Sequence, residues 1–574
     1  MGIHRIKFKM KNPIRSILFL LGISFILRFA VGIITGAADD DAGDYITYAI
    51  QTAHDNKFSN FLDLNLGRQV FQLWLFCLVC FMKVFGATNV SAILLTSIIG
   101  TANIFIFYKL MNLYNGKEAS FYLSSLYSII PVIIFTSYNP CYESIFIFSF
   151  LLSGYFYFRF FQTNQNKNLI ISGLLGSSLA FIHATGYPVI FIILFSFPFI
   201  FKERGLLKKW MLFSLFLLFL PVLQMLVWKI LYNSFFPYLQ LRSHWLVDIS
   251  GAIGIKDIIK YVIYCFFSLS FILLIGLVIF GSFINGILNR IIGIILFCSI
   301  LILFMFFSLR NQNDLFKLCF AIFSLSFLIL KRPLSKENAL VYVFGVLGIY
   351  IFTLLITVFP QRWGPRFFAF LITLLVPVAW YYLEKVVKNE KAVFLIFSSV
   401  IGSLLIAGLI FNFTSLKNKE IGFMKGKFSS AFEYSIPFSL QHTDDRKIMN
   451  WLKKNGITPG DYVIAGIKSN RYVPANLDMA QNHFLSAFFF SYSHKEGFTK
   501  ESLEDYIKWI NDNNPRFIIW DIDFQDQEYA QIINFQTGER KIAFDFSDFK
   551  NAISGEYAIK DTIVNRIIVF ETTK

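Results

Sequence analysis

Apolar runs of about twenty residues, repeated along most of the chain and parted by short basic connections, restrict what it can fold into before any single residue is read. The first, ILFLLGISFILRFAVGIITG (17–36), is long enough to cross the roughly 30 Å hydrocarbon core of a bilayer as a helix. Hydrophobic residues make up 56% of the 574, and 71 are Phe, which excludes a water-soluble enzyme. The chain therefore reads as a polytopic, mostly α-helical membrane protein. Its formal charge of +16 does not point to nucleic acid, because Lys and Arg cluster between apolar runs rather than along one soluble face.

The basic N-terminus, MGIHRIKFKMKNPIR, precedes an apolar run with no small-residue cleavage site, so 17–36 reads as an uncleaved span with the N-terminus inside. The six cysteines lie in or beside apolar runs and show neither a disulfide framework nor metal-type Cys/His spacing. Basic connections recur at Lys117, Lys167, 202–209, Arg290, 331–336 and 384–391, and all can be cytoplasmic at once. That layout gives about thirteen spans, near 17–36, 89–110, 119–137, 142–161, 169–183, 187–200, 211–231, 259–281, 291–309, 315–330, 339–359, 367–383 and 392–412, with the C-terminus outside. The short pair 169–183 and 187–200 meets at HATGY and reads as a hairpin dipping from the cytoplasm, its tip inside protein. The run Arg68 to Gly86 does not fit as a crossing, since counting it would place the later basic clusters outside. It is expected to be a juxtamembrane or re-entrant helix of a first outer loop, 37–88, within a membrane domain of residues 1–416.

From Lys417 the composition becomes mixed. DDRKIMNWLKKNG predicts an amphipathic helix with Asp444 near its cap and Gly456 past its end, followed by a buried strand in DYVIAGI. The order repeats in ESLEDYIKWINDNN and PRFIIWDI, and NRIIVFE closes an α/β domain of residues 417–574 outside the membrane. It carries no phosphate loop, nucleophile elbow or zinc motif, and reads as a lid or docking platform.

The stretch DDDAGDYITYA (39–49) follows the first span directly, and acids so near a bilayer stay hydrated or serve a purpose. Asp44 precedes a helical pattern in which Ile46, Ala49, Ile50 and Ala53 share a face, so capping competes with function there. Asp41 is free of that duty, and Ala42 and Gly43 leave room beside it. The cluster Asp39, Asp40, Asp41 and Asp44 has the oxygens a divalent cation takes, although such clusters are more often simply hydrated, and no cofactor is assigned. Elsewhere, YNPCYES puts Glu143 at the mouth of a span, HATGY puts His183 at a helix break, and QRWGPRFF puts Arg362 and Arg366 at the outer end of a late span. Each has a bland alternative: a cap, a satisfied interior histidine, or arginines reaching for lipid headgroups.

Taken in order, the acid and tyrosine of Asp41 to Tyr45, VFGATN (84–89), the YES motif, the TG-containing hairpin and WGPRFF resemble GT-C-type glycosyltransferases. The bacterial polyprenyl-phosphate-sugar-dependent enzymes, such as aminoarabinose transferase and protein O-mannosyltransferase, are the most similar in look. The family usually shows Asp-Glu where this chain has Asp41-Ala42, which leaves Asp41 and Asp44 both open as the base. The resemblance implies a polyprenyl-phosphate-linked sugar as donor, a lipid, glycan or protein as acceptor, and a site at the outer water–lipid boundary. A carboxylate such as Asp41 would take the acceptor's proton while Arg366 or Arg362 neutralises the departing phosphate, with inversion at the anomeric carbon. Tyr45, Arg68, Glu143 and His183 would line the pocket. A transporter or flippase of lipid-linked saccharides, or a surface-polysaccharide polymerase or ligase, are the other readings. The first lacks an obvious internal repeat and leaves the large soluble domain unexplained.

The charge pattern generates a direct test. A reporter fused after Lys574 is expected to be active only outside, and one inserted at 202–209 only inside. An inside C-terminus would mean that the Arg68 to Gly86 run crosses the membrane.

Overall fold

The structure is a computed structural model. It describes residues 13–36, 40–56, 72–183, 185–200, 206–234, parts of 340–351, 367–417, 443–466, 472–486, 503–521, 531–533, 540–542, 546–563 and 567–573. The expected spans 259–281, 291–309 and 315–330, and most of 339–359, lie outside the described residues.

The membrane part opens with α1 (Pro13–Thr35), α2 (Asp40–Asp55), α3 (Leu73–Phe85) and α4 (Asn89–Met111). Next come α5 (Gly116–Ile129), α6 (Pro131–Tyr138), α7 (Glu143–Thr163), α8 (Asn166–Ser177), α9 (Leu179–Ile182), α10 (Gly186–Ile200) and α11 (Leu206–Tyr232), and later α12 (Phe367–Val387) and α13 (Glu390–Lys417). Among the described residues, five helices are long and apolar enough to cross a bilayer, or six if α5 and α6 form one broken span. The protein is a multi-pass integral membrane protein. The outward faces of α1 and α11 show what solvent they expect, since Phe19, Ile26 and Ile34 on α1 and Leu207, Leu215 and Ile230 on α11 are largely exposed.

The ends of α1 and α4 meet the same part of the chain. The Tyr472 hydroxyl donates to the carbonyl of Thr35 at 3.3 Å, and the Asn89 amide donates to the Asn476 side chain at 2.9 Å. The segment between α1 and α4 thus starts and finishes at one end of the bundle, and α3, at 13 residues and about 20 Å, is too short to cross. Thr88 caps α4 by accepting from the N–H of Ser91 at 3.2 Å.

The expected span 119–137 is broken. Pro131 has no N–H to donate and disfavours helical geometry at Ile130, so α5 stops and α6 departs at 68°. Breaking a helix inside a membrane strands the carbonyls of its last turn. Arg28, fully buried in α1, donates to one of them, Ser128, at 3.0 Å, and to its own helix at Ser24 at 3.1 Å. The guanidinium therefore ties α1 to the fracture.

The C-terminal part contains α14 (Thr443–Lys454), β1 (Val463–Gly466), α15 (Tyr472–Ala475), β2 (Phe484–Ser486), α16 (Leu503–Asn513) and β3 (Phe517–Asp521). After these come β4 (Gln531–Ile533), β5 (Arg540–Ile542), α17 (Phe546–Ile553), β6 (Tyr557–Ile563) and β7 (Ile567–Thr572). A mixed sheet runs β2-β1-β3-β7-β6, parallel across β2, β1 and β3 and antiparallel beyond, while β4 and β5 pair separately. Alternation along the strands divides the core. Val463, Ala465, Phe517 and Ile519 pack under Ile448 and Leu452 of α14, whereas Ile464, Ile518 and Trp520 pack against Ile510 of α16 and Phe549 of α17. Gly456, at φ +69°, ends α14, and Arg516 donates to the carbonyls of Asn455 and Gly456 there.

Close helix approach in the bundle depends on glycine. A Cβ on Gly100 would overlap the Ser137 side chain and lie 2.9 Å from its Cα, whereas one on Gly22 would meet nothing within 4 Å. Gly100→Ala is therefore expected to destabilise the bundle by about 1–3 kcal/mol despite alanine's better helix propensity. Gly22→Ala should be neutral or slightly stabilising, and thermal melting of the purified protein compares the two.

Candidate active site

The acidic motif is helical from Asp40, one turn earlier than its apolar pattern suggests. Asp44 is thus the fifth residue of α2 and does not cap it, which corrects the capping expectation. Acids in a first helical turn suit the positive end of the helix dipole, and this favours the earlier start. Asp44 is only 9% exposed, and Ala42, Tyr45, Ile46, Tyr48, Ala49 and Ile50 are buried with it, so α2 is enclosed on most sides. A helix with polar residues at positions 44, 47 and 52 is buried here because protein surrounds it: α3 on one side and the C-terminal part on another. Asp41 precedes Asp44 by three residues, which puts the two on one side of α2. Arg68, Arg362, Arg366 and the side chains of Asp39 to Asp41 lie outside the described residues.

A second cluster forms where the broken helices end. The Asn103 amide donates to the carbonyl of Ser144 at 2.9 Å, and the Ser144 hydroxyl donates to the carbonyl of Thr136 at 2.6 Å. Asn103 lies fourteen residues into α4, about 21 Å along its axis at 1.5 Å per residue. Glu143 is therefore recessed within the bundle, 5% exposed, and not at the mouth of its span as expected. The shortened ascent through α5 and its turn into α6 are the reason. The adjacent Tyr142 ring stacks on His183 with centroids 4.2 Å apart and planes 6° from parallel. His183 Nδ1 accepts from the N–H of Thr185 at 3.2 Å, which assigns the neutral ring's proton to Nε2. The hairpin tip read at HATGY thus meets the YES motif, and the structure joins Glu143 to His183 through Tyr142.

One element links the two clusters. Helix α3 packs on α2, touches α9, and from its first turn sends the Trp74 indole N–H to the carbonyl of Pro140 at 3.2 Å. Its other end, with Val84 and Phe85 exposed, returns to the start of α4. Among the described residues no group of three or more His, Cys, Asp or Glu side chains is arranged to hold a metal.

The C-terminal part closes the same end of the bundle. Besides the contacts of Tyr472 and Asn476, the Asn89 N–H donates to Asp478 at 2.6 Å and the Gln481 N–H to the carbonyl of Thr47 in α2 at 3.3 Å. Burial pushes the Asp478 carboxyl above the usual carboxylate range, opposed by the Asn89 N–H and the nearby Lys453.

Residues 72–228, from the start of α3 into α11, match the family described as dolichyl-phosphate-mannose-protein mannosyltransferase. The architecture is similar to that of ArnT from Cupriavidus metallidurans bound to undecaprenyl phosphate, with a TM-score of 0.57 at 11% identity over 96% of this chain and 97% of the other. The chain has the ArnT fold. The apo state of ArnT agrees, at a TM-score of 0.55 and 10% identity over 97% and 98% of the two chains. A more distant similarity, with a TM-score of 0.45 at 13% identity over 89% of this chain and 70% of the other, is to the Archaeoglobus fulgidus oligosaccharyltransferase AglB in complex with an inhibitory peptide and a dolichol-phosphate; it carries no weight in the assignment. No curated protein matches the sequence significantly. The resemblance to GT-C-type glycosyltransferases read from the motifs is borne out.

The ArnT fold spans both parts of the chain, and the residues joining those parts escaped the sequence reading. YVPANLDMAQ carries Tyr472, Asn476, Asp478 and Gln481, yet its short helix and turn have no periodicity to announce an interface. Trp74 was equally hidden, being one aromatic among many in an apolar run. Pro131, by contrast, was a readable signal for the break at Ile130.

Proposed function

We propose that this protein transfers a sugar from a polyprenyl-phosphate donor to an acceptor at the outer face of the membrane, with an aspartate of α2 as general base and inversion at the anomeric carbon. The observation that carries this reading is the ArnT fold over nearly the whole length of both chains, because the ArnT structure holds undecaprenyl phosphate, the carrier half of such a donor. The family match over α3 to α11 supports it independently. The residues are of the right type. The tail of a polyprenyl donor lies in lipid and its phosphate at the boundary, so the transferring carboxylate belongs on a protein-enclosed helix at a membrane end, where α2 sits.

In this reading Asp41, on the first turn of α2, accepts the proton of the acceptor hydroxyl as that oxygen attacks the anomeric carbon, and the phosphate leaves with the bonding pair. Arg366 or Arg362 neutralises the phosphate, a task for which the guanidinium fork is well shaped. Asp44 and Tyr45 stand one turn further along α2, and Arg68, Glu143 and His183 line the pocket. Residues 1–416 form the transferring unit, and residues 417–574 an extracytoplasmic domain seated on it. The C-terminus is outside and the N-terminus inside.

The two aspartates separate under substitution. Asp41→Asn keeps the shape of the side chain but cannot take a proton at neutral pH, and is expected to lower the transfer rate by about 10²- to 10⁴-fold with the protein folded. Asp44→Asn is expected to be mild, because a residue enclosed in the second turn is less open to an acceptor arriving from water. Both substitutions remove one negative charge from the same stretch, so a general field effect would weaken them alike. The reverse ranking would exchange their roles, and full turnover in both would remove α2 from the chemistry.

A further inference from the structure

Among the described residues, hydrogen bonds between the C-terminal part and the bundle come from one short strap, Tyr472 to Gln481, with two sides. Leu477 and Met479 face inward to the core beneath α14, and Met479 is wholly buried there. Asn476 and Asp478 alternate with them and face the bundle, meeting the Asn89 side chain and the Asn89 N–H. Ala475 and Ala480, at the flanks, belong to the apolar core of the bundle itself, in one cluster with Ala42, Ile46 and Ile50 of α2. The strap's own backbone is fixed, because the N–H groups of Leu477 and Met479 both donate to the carbonyl of Pro474, at 3.1 and 3.0 Å. Asp478 holds a left-handed conformation, φ +55°, that carries its carboxylate onto the open first turn of α4. The fit leaves no spare room, since a Cβ on Gly36 would overlap the Asn476 side chain.

We propose that this strap is a positioning element of the transfer site: Asn476 and Asp478 lock the C-terminal domain to the ends of α1 and α4, and the locked strap holds α2, through Gln481 and the buried alanines, in the place from which its acids act. The role of those acids rests on the function proposed above, whereas the holding of α2 does not. Among the described residues, helix α2 follows α1 closely, packs on α3, and receives the Gln481 N–H at a carbonyl in its middle. A helix of 16 residues with a polar first turn keeps one orientation only if tertiary contacts impose it. The domain is thus part of the site although none of its residues need touch substrate.

Hydrogen exchange of the full-length protein in lipid nanodiscs tests this, with turnover of a polyprenyl-phosphate sugar measured alongside. Asp478→Gly removes the carboxylate and still permits the left-handed backbone, and Asp478→Asn restores an oxygen that can accept from Asn89. Asp478→Gly is expected to speed exchange of the α2 amides by roughly 10- to 100-fold, the scale of one lost charge-assisted hydrogen bond, while α7, β1 and β3 keep their protection. Its kcat should fall by a comparable factor with donor KM little changed, and Asp478→Asn should recover most of both. Asn89→Ala, Asn476→Ala and the double variant should loosen α2 to the same extent, because each breaks the same side-chain pair. Unchanged α2 exchange in Asp478→Gly and in Asn476→Ala would overturn the proposal, as would loss of protection spread equally over β1 and β3. Faster α2 exchange in a protein whose wild type transfers no sugar would uphold the strap and overturn the glycosyltransferase reading instead.

Discussion

A backbone carbonyl stranded inside a bilayer has no water to turn to, and leaving one unpaired costs roughly 1–3 kcal/mol. Among the described residues, this protein interrupts its apolar segments around α5, α6 and α7, and polar side chains there bond backbone carbonyls. Arg28 answers Ser128 where α5 ends, the Ser144 hydroxyl answers Thr136 in the last turn of α6, and Trp74 answers Pro140 in the loop between α6 and α7, while Asn103 gives a further bond to the Ser144 carbonyl at the start of α7. The recessed cluster of Tyr142, Glu143 and His183 sits where the backbone is irregular.

The same constraint bears on the end of the bundle where α2 lies. Apolar helices run unbroken where α1 and α11 face lipid, and irregularity collects where α2, α3, the strap and the ends of α1 and α4 enclose one another. An enclosed acidic helix is expensive to maintain unless protein replaces the water it gave up. Here α3 does so from within the bundle and the C-terminal domain from outside, so the two parts of the chain share a boundary set by burial of α2.

How much of this could be read from the sequence follows from how local each signal is. The five long apolar helices among the described residues, the helix at 443–454 with Gly456 beyond it and the strands at 463–466, 517–521 and 567–572 all carry a periodicity or composition of their own, and they were legible. The start of α2 was misjudged by one turn because its apolar pattern begins after its acids do. The depth of Glu143 was missed because it depends on the bend at Ile130, and β6 and α17 lacked a strong pattern. The strap was invisible for a deeper reason: Asn476 and Asp478 acquire meaning only from Asn89, nearly four hundred residues away. The motif order that resembles GT-C-type glycosyltransferases worked where local patterns did not, since it samples several distant positions together.

The central claim is that this fold moves a sugar between molecules rather than across a membrane. Purified protein reconstituted into sealed vesicles with a polyprenyl phosphate carrying a labelled sugar, together with candidate lipid, glycan and peptide acceptors, separates the two directly. The account predicts label covalently joined to an acceptor with release of polyprenyl phosphate, and the transfer should persist when detergent opens the vesicles. Label that stays on the polyprenyl carrier and only changes leaflet, with no product once the vesicles are opened, would contradict it.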